Sequence, residues 1–312
     1  MRLIFMGTPE SAVPTLRRCL DDGHEVVAVW TQPDRPAGRG NKLHAPPVKL
    51  FAVEHGLTIH QPEKIKTEEA RALFASHEAD AAIVVAYGRI LPSSFLSAPR
   101  RGCINVHFSL LPKYRGAAPV NWAIVRGERE TGVTTMQIDE ALDTGAIYLQ
   151  RATVIGDEET APELLARLAV TGAELLSETL ARFDELVPRP QRDEEATYAP
   201  VLRREDGLID WTLSAEEIER RVRGFQPFPN SFTTFRGQRL VVWRAQVIEN
   251  FAREDQTRAA GEIVVAHGDD LIVACGAGTA LHLVEVQPEG KRRMSVRDLV
   301  NGLHAQSGEK LG

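Results

Sequence analysis

The run Asp80-Ala81-Ala82-Ile83-Val84-Val85-Ala86 restricts what this chain can fold into more than any other stretch. A strand so uniformly apolar needs cover on both faces, which is the situation of a strand in a parallel sheet packed between helices. Two strands of similar character precede it, Arg2 to Met6 and Glu25 to Trp30, with helices expected from Glu10 to about Leu20 and from Pro47 to His55. Cys103 to His107 and Val133 to Ile138 continue the alternation, with a helix from Ala117 to Val125 between them. Strands alternating with helices in this way predict an α/β fold, a Rossmann-like, doubly wound and mainly parallel sheet.

At 312 residues the chain is long for one core, so a second domain is expected. The apolar positions Leu164, Leu165, Leu168, Leu175, Leu176, Leu180 and Phe183 predict an amphipathic helix over Thr160 to about Leu186 that closes the first domain. Pro188-Arg189-Pro190 and the polar run Gln191 to Thr197 then break the pattern, as an interdomain linker would. We therefore divide the chain into a first domain over 1–188, a linker over 189–205 and a second domain over 206–312. In the last of these, Ser214-Ala215-Glu216-Glu217 reads as a capping box opening a helix to about Arg223. Short strands follow at Ser231 to Phe235, Leu240 to Ile248, Glu262 to Ala266, Leu271 to Ala274 and Leu281 to Val286, the pattern of a small OB-like β-barrel.

A formal charge of −6 argues against coating nucleic acid through bulk charge, though it leaves room for local basic patches. Cys19, Cys103 and Cys275 are too scattered for a disulfide framework, and no histidines fall at metal-ligand spacing, so no metal is expected. The absence of an apolar leader or of a bilayer-length apolar run predicts a soluble, cytoplasmic protein. Gly7-Thr8-Pro9-Glu10 lacks the later glycines of a dinucleotide-binding turn. No Gly-x-Ser-x-Gly elbow surrounds Ser109, whose expected role is to hold its loop by a backbone hydrogen bond.

Polar chemistry concentrates at one strand end. Period two puts Asn105 and His107 on one face, and Asp143 lies in a turn-rich loop after the next strand. All three are expected at or beyond the carboxyl ends of strands, where open α/β sheets bind ligands. An amide N–H can stabilise an oxyanion, and an imidazole can relay the proton of an attacking amine. A carboxylate can fix the imidazole tautomer and stabilise the imidazolium. A histidine after a strand and an Asp-Thr-Gly turn are also ordinary structural features, and the residues alone leave both readings open.

Asn105-Val106-His107-Phe108-Ser109-Leu110-Leu111-Pro112, followed by Asp139-Glu140-Ala141-Leu142-Asp143-Thr144-Gly145, resembles the signature of the 10-formyltetrahydrofolate-dependent formyltransferases. Thr31-Gln32-Pro33-Asp34-Arg35-Pro36-Ala37-Gly38-Arg39-Gly40 and Ile209-Asp210-Trp211 extend the resemblance over essentially the whole chain, toward members that act on methionine esterified to initiator tRNA. The resemblance implies direct transfer of a formyl group from 10-formyltetrahydrofolate to that α-amine, with Asn105, His107 and Asp143 as the catalytic trio. It implies a folate pocket formed by Tyr87, Gly88, Arg89, Ile90, Leu91, Ser109, Leu110, Leu111, Pro112 and Asp139. It further makes the Pro- and Gly-rich insertion from Gln32 to Pro46, by composition a mobile surface loop, a reader of the acceptor stem through Arg35, Arg39 and Lys42. Lys291, Arg292 and Arg293 are expected among the second-domain cations that track the tRNA backbone, and the protein is expected to be a monomer. Phe108 departs from the pattern, which more often has a small residue there.

Overall fold

The computed structural model describes residues 1–37, 42–249, 251 and 258–312, apart from the side chains of Ala37 and Lys42. The chain forms two compact units. One comprises Met1–Pro119, Glu130–Val154 and Leu165–Ala199, and the other Val120–Arg129, Ile155–Leu164 and Pro200–Gly312. Each unit therefore takes in more than one stretch of sequence, and residues 189–199 group with the first.

The first unit is built on a seven-stranded sheet in the order Ile147–Val154, Glu130–Gln137, Cys103–His107, Ala81–Val85, Arg2–Gly7, Glu25–Trp30, Ile59–His60. The five strands from Cys103–His107 to Ile59–His60 are parallel, and Ala81–Val85 is buried throughout, as its composition requires. Chain order reverses direction across the sheet between Arg2–Gly7 and Ala81–Val85, which makes their carboxyl ends a topological switch point. The expected doubly wound, mainly parallel sheet is thus present. Its core includes Trp30, Phe74 and Phe95, with Trp30 edge-on to Phe74 (5.3 Å) and Phe95 (5.5 Å) and the two phenyl rings stacked at 4.2 Å. Burial of each such side chain is worth ~1.5–3 kcal/mol or more.

Two strands at the edge depart from the parallel scheme. Glu130–Gln137 runs antiparallel to Cys103–His107, and Ile147–Val154 runs antiparallel to Glu130–Gln137. The second of these, with its mixed polar and apolar sequence, was not among the expected strands. The reversal corrects the placement of Asp143. The carboxyl end of Glu130–Gln137 lies beside the start of the Cys103–His107 strand, with Gln137 opposite Ile104 and Thr134 opposite His107. Asp143 therefore reaches His107 because its loop folds back, not because the two strands end at one edge.

In the second unit the Ser214 capping box forms with both of its arms, opening the helix Ala215–Gly224. The sheet follows the order Ser231–Phe235, Gln238–Val247, Ala280–Pro288, Asp270–Ala274, Ile263–His267, with Met294–Ser295 paired to Ala280–Pro288. The ladder is antiparallel, and residues 308–312 bridge its two outer strands. Leu311 pairs with Phe235 on one side and Lys310 with Glu262 on the other, backed by Gly312 N to Thr234 O and Ile263 N to Glu309 O. That bridge rounds the sheet into a small barrel filled by Trp211, Ile218, Leu240, Val242, Leu281 and Leu299.

Candidate active site

The Cys103–His107 strand presents two faces of different chemistry. Val106 and Phe108 turn toward the helix Ala161–Ala181 at Gly172, where an added Cβ would stand 2.8 Å from Val106 Cγ1 and 3.5 Å from Phe108 Cε1. The missing side chain at Gly172 makes room for Val106, and Phe108 packs beside it at ordinary contact distance from the same helix position. Asn105 and His107 occupy the alternate positions. Asn105 is partly exposed, and its amide has no hydrogen-bond partner among the described residues.

His107 is buried, with Nε2 3.0 Å from the carbonyl oxygen of Tyr114. A carbonyl can only accept, so Nε2 carries a proton and Nδ1 is the basic nitrogen of the neutral ring. Nδ1 lies 3.8 Å from Asp143 Oδ2, an ion-pair distance beyond a hydrogen bond. The tautomer is consequently set by Tyr114, and a carboxylate at this distance can act on the imidazole through charge alone. Asp143 Oδ2 itself accepts from the Gly116 N–H at 2.8 Å.

Both loops that converge here adopt backbone conformations that need support. Tyr114 (φ 61°) and Asp143 (φ 55°) sit in the left-handed region, at a cost of roughly 1–2 kcal/mol each. Gly145 is required on other grounds, since a Cβ there would approach Gln137 O to 1.7 Å. In the Asp143 loop, Asp139 accepts from Thr144 Oγ1 at 2.7 Å and from Ala141 N at 3.2 Å. In the other, Ser109 Oγ donates to Lys113 O at 2.6 Å, and Thr134 Oγ1 donates to Ser109 O at 2.7 Å. The expected structural role of Ser109 is thereby met.

The remaining folate candidates lie on two segments, 87–91 and 110–112, whose buried side chains enter different core clusters. Leu111 is buried and joined to Pro112 by a cis peptide bond, and Leu110 is partly buried. Tyr87 points inward: its ring is buried in the core, its hydroxyl has no partner among the described residues, and burial pushes it up to about 12. Its carbonyl accepts from Thr8 Oγ1 and from Gln32 Nε2, tying the switch-point loops together. Leu91 is buried, Gly88 takes φ 83°, and Arg89 donates to Gln32 Oε1 and Glu63 O. Ile90 is 70% exposed and Leu142 55% exposed. Ser93 Oγ donates to Glu140 at 2.6 Å, linking the segments that carry these two apolar side chains.

The cations are dispersed. Arg35 is exposed on a short antiparallel pair, Arg35–Ala37 with Lys42–His44, so the ends of the insertion are ordered into a hairpin. Arg39 lies outside the described residues, and of Lys42 only the backbone is described. In the second unit Lys291 and Arg292 are exposed without a side-chain partner among the described residues. Arg293 pairs with Glu285 and stacks over Trp243 at 4.9 Å. Burial pushes the Cys103 thiol up to about 12, which makes it a core residue and not a nucleophile. No group of three or more His, Cys, Asp or Glu fit to hold a metal occurs among the described residues, and no helix among them is long and apolar enough to cross a membrane.

Sequence reasoning did not single out the Tyr114 carbonyl, Arg115 or Gln191. Arg115 is 2% exposed and donates through Nε to Gln191 Oε1 (3.0 Å) and through Nη2 to Asp193 (2.9 Å). Gln191 Nε2 donates to the carbonyls of Asp143 (2.9 Å) and Gly145 (2.8 Å). These contacts join residues more than 40 positions apart, and nothing local in the sequence announces them.

A buried imidazole with a carboxylate beside its basic nitrogen, on a strand that also carries an unpartnered amide, suits acyl transfer to an amine without a covalent enzyme intermediate. Comparison with known proteins gives the class. The formyl transferase model matches residues 1–180 and the formyl transferase C-terminal domain model matches residues 201–304, and the chain belongs to this family of enzymes. It is similar over its whole length to proteins named methionyl-tRNA formyltransferase. That of Geobacter metallireducens is 46% identical over 314 residues, covering 100% of this chain and 99% of the relative. That of Koribacter versatilis is 50% identical over 315 residues, with 100% and 99% covered. Among solved structures, WlaRD, a sugar 3N-formyl transferase crystallised in the presence of dTDP and 5-N-formyl-THF, shares the fold. Its TM-score is 0.67 at 18% identity, with 94% of this chain and 99% of that one covered.

Proposed function

We propose that this enzyme moves the formyl group of 10-formyltetrahydrofolate onto the α-amino group of methionyl initiator tRNA, giving N-formylmethionyl-tRNA for translation initiation. The observation that carries the chemistry is the Nδ1 of His107 facing the Asp143 carboxylate at 3.8 Å while Nε2 is held by Tyr114. The relatives at 44–50% identity, all named methionyl-tRNA formyltransferase, support the acceptor.

In this reading the folate supplies an activated formyl carbon, and the protein supplies position and charge. Asn105 donates its amide N–H to the formyl oxygen as the amine nitrogen bonds to the carbon and negative charge builds on that oxygen. His107 takes the proton lost by the amine at Nδ1, and Asp143 stabilises the resulting imidazolium. The same proton passes to the folate nitrogen as its bond to the formyl carbon breaks, so tetrahydrofolate and formylated product leave with the protein unchanged. The folate lies against Gly88, Arg89, Ile90 and Leu91, the 109–112 turn and the Asp139 loop. Exposed Ile90 and Leu142 suit the flat apolar faces of a pterin. Arg35, Arg39 and Lys42 contact the acceptor stem, and Lys291, Arg292 and Arg293 the tRNA backbone. Residues 1–188 act as the catalytic domain and 206–312 as the tRNA-binding domain, in a monomer of the cytoplasm.

The test offers the purified protein 10-formyltetrahydrofolate with methionyl initiator tRNA, methionyl elongator tRNA, glycinamide ribonucleotide or an amino sugar nucleotide. Formylation of the initiator species at the highest kcat/KM is expected. Preference for a small amine overturns the acceptor assignment.

A further inference from the structure

Residues 189–199 have the composition of a connector, but they are bonded into the loops that carry His107's partners. Thr197 Oγ1 accepts from Tyr114 N at 2.9 Å and Thr197 O from Arg115 N at 2.9 Å. Tyr198–Ala199 pairs in parallel with Arg115–Gly116. At Gly116 (φ 121°) a Cβ would meet Ala199 O at 2.5 Å, so the two backbones lie in direct contact. On the other side Gln191 spans to the Asp143 loop.

The bonds close a ring. Asp143 Oδ2 is held by the Gly116 N–H, Gly116 follows Arg115 in the chain, Arg115 Nε donates to Gln191 Oε1, and Gln191 Nε2 donates back to Asp143 O. Asp143 is thereby gripped at its carboxylate and at its own backbone carbonyl. We infer that Gln191 is a positioning residue, which with Arg115 fixes where the Asp143 carboxylate stands relative to His107 and so sets the rate of the chemical step. Its side-chain amide is the only part of the ring that joins the Asp143 backbone to Arg115. Without it the Gly116 N–H still holds the Asp143 carboxylate and Asp193 and Thr197 still hold Arg115, but the Asp143 backbone loses its tie to them, and a charge moved by ~1 Å from its productive place costs up to ~100-fold in rate.

This inference rests on the assigned role of Asp143, and the experiment separates the two. Gln191→Leu and Gln191→Glu are measured in the wild-type and in the Asp143→Asn background, with kcat and KM for both substrates. Gln191→Glu keeps an acceptor for Arg115 and loses both donated bonds, so it serves should the leucine variant fail to fold. In the wild-type background either variant is expected to lower kcat roughly ten- to hundredfold with KM nearly unchanged. In the Asp143→Asn background the same change is expected to cost less than about twofold, because the carboxylate it positions is gone. Equal losses in both backgrounds, or an unchanged kcat, overturn the inference while leaving the formyl-transfer reading intact. Absence of formyl transfer by the wild-type protein defeats that reading instead.

Discussion

The two units use polar side chains in opposite ways. In the first, His107, Ser109, Arg115 and Thr134 are buried, and each is tied to backbone or to another polar side chain. In the second, several cations are at the surface, where Arg236 forks onto Glu309, Arg297 pairs with Asp269, and Lys291 and Arg292 are without a side-chain partner among the described residues. Buried, fully bonded polar groups hold one geometry and act over a few ångströms. Exposed cations without a side-chain partner, as Lys291 and Arg292 are among the described residues, hold no single geometry and act through a field screened over roughly 10 Å. In the proposed reading, the first arrangement suits setting the rate of a reaction and the second suits gathering its substrate.

Substitutions in the two units should therefore fail in different ways. His107→Ala is expected to lower kcat ~10²–10⁴-fold with little change in tRNA affinity, measured by single-turnover formylation beside filter binding. Parallel losses of rate and affinity would erase the contrast. Asn105→Ala should cost ~10²–10³ in kcat if its amide meets the developing oxyanion, and a mainly KM effect would move it to substrate binding. Lys291→Ala with Arg292→Ala is expected to raise the tRNA KM several-fold at unchanged kcat and to reduce the slope of log affinity against log salt by about 0.7–0.9 per cation that contacts phosphate. An unaltered salt slope would remove these residues from the interface.

The smallest effect concerns stability. His60 and His77 face each other at 5.2 Å in the first unit, and burial holds both below the ordinary 6.5, with each ring also facing a positive neighbour, His77 in one case and Arg2 in the other. The unfolded chain binds protons there first, so stability is full above about pH 6.5 and declines as pH falls toward the folded values. Thermal melting between pH 7.5 and 5 should show a falling Tm, and His77→Gln should flatten the curve.

What could be read in the sequence was what single segments decide for themselves. Ala81–Val85 declares a parallel, twice-covered strand by its side chains alone, and Ser214 with Glu217 declares a helix start by two local hydrogen bonds. Strand direction is not a local property. Glu130–Gln137 has the same buried pattern in either direction, and only its antiparallel register against Cys103–His107 shows the reversal. The site divides along the same line. Asn105 and His107 share a face by strand geometry, whereas the Tyr114 carbonyl that orients His107 depends on a left-handed turn and on Thr197, 83 residues away. Gln191 was hidden because a Pro-rich polar run has the same composition whether it is solvated or bonded.

The bridge made by residues 308–312 bears on solubility. Leu208 and Ile209 already pair with Ser231–Phe235 at Phe232, and without residues 308–312 the Thr234–Phe235 end of that strand and the Ile263 end of Ile263–His267 would present unpaired N–H and C=O groups beside apolar residues such as Val264. Open edges of that kind recruit strands from other molecules. This short segment therefore acts as a guard against self-association, and a chain lacking it should aggregate even where its barrel core is intact.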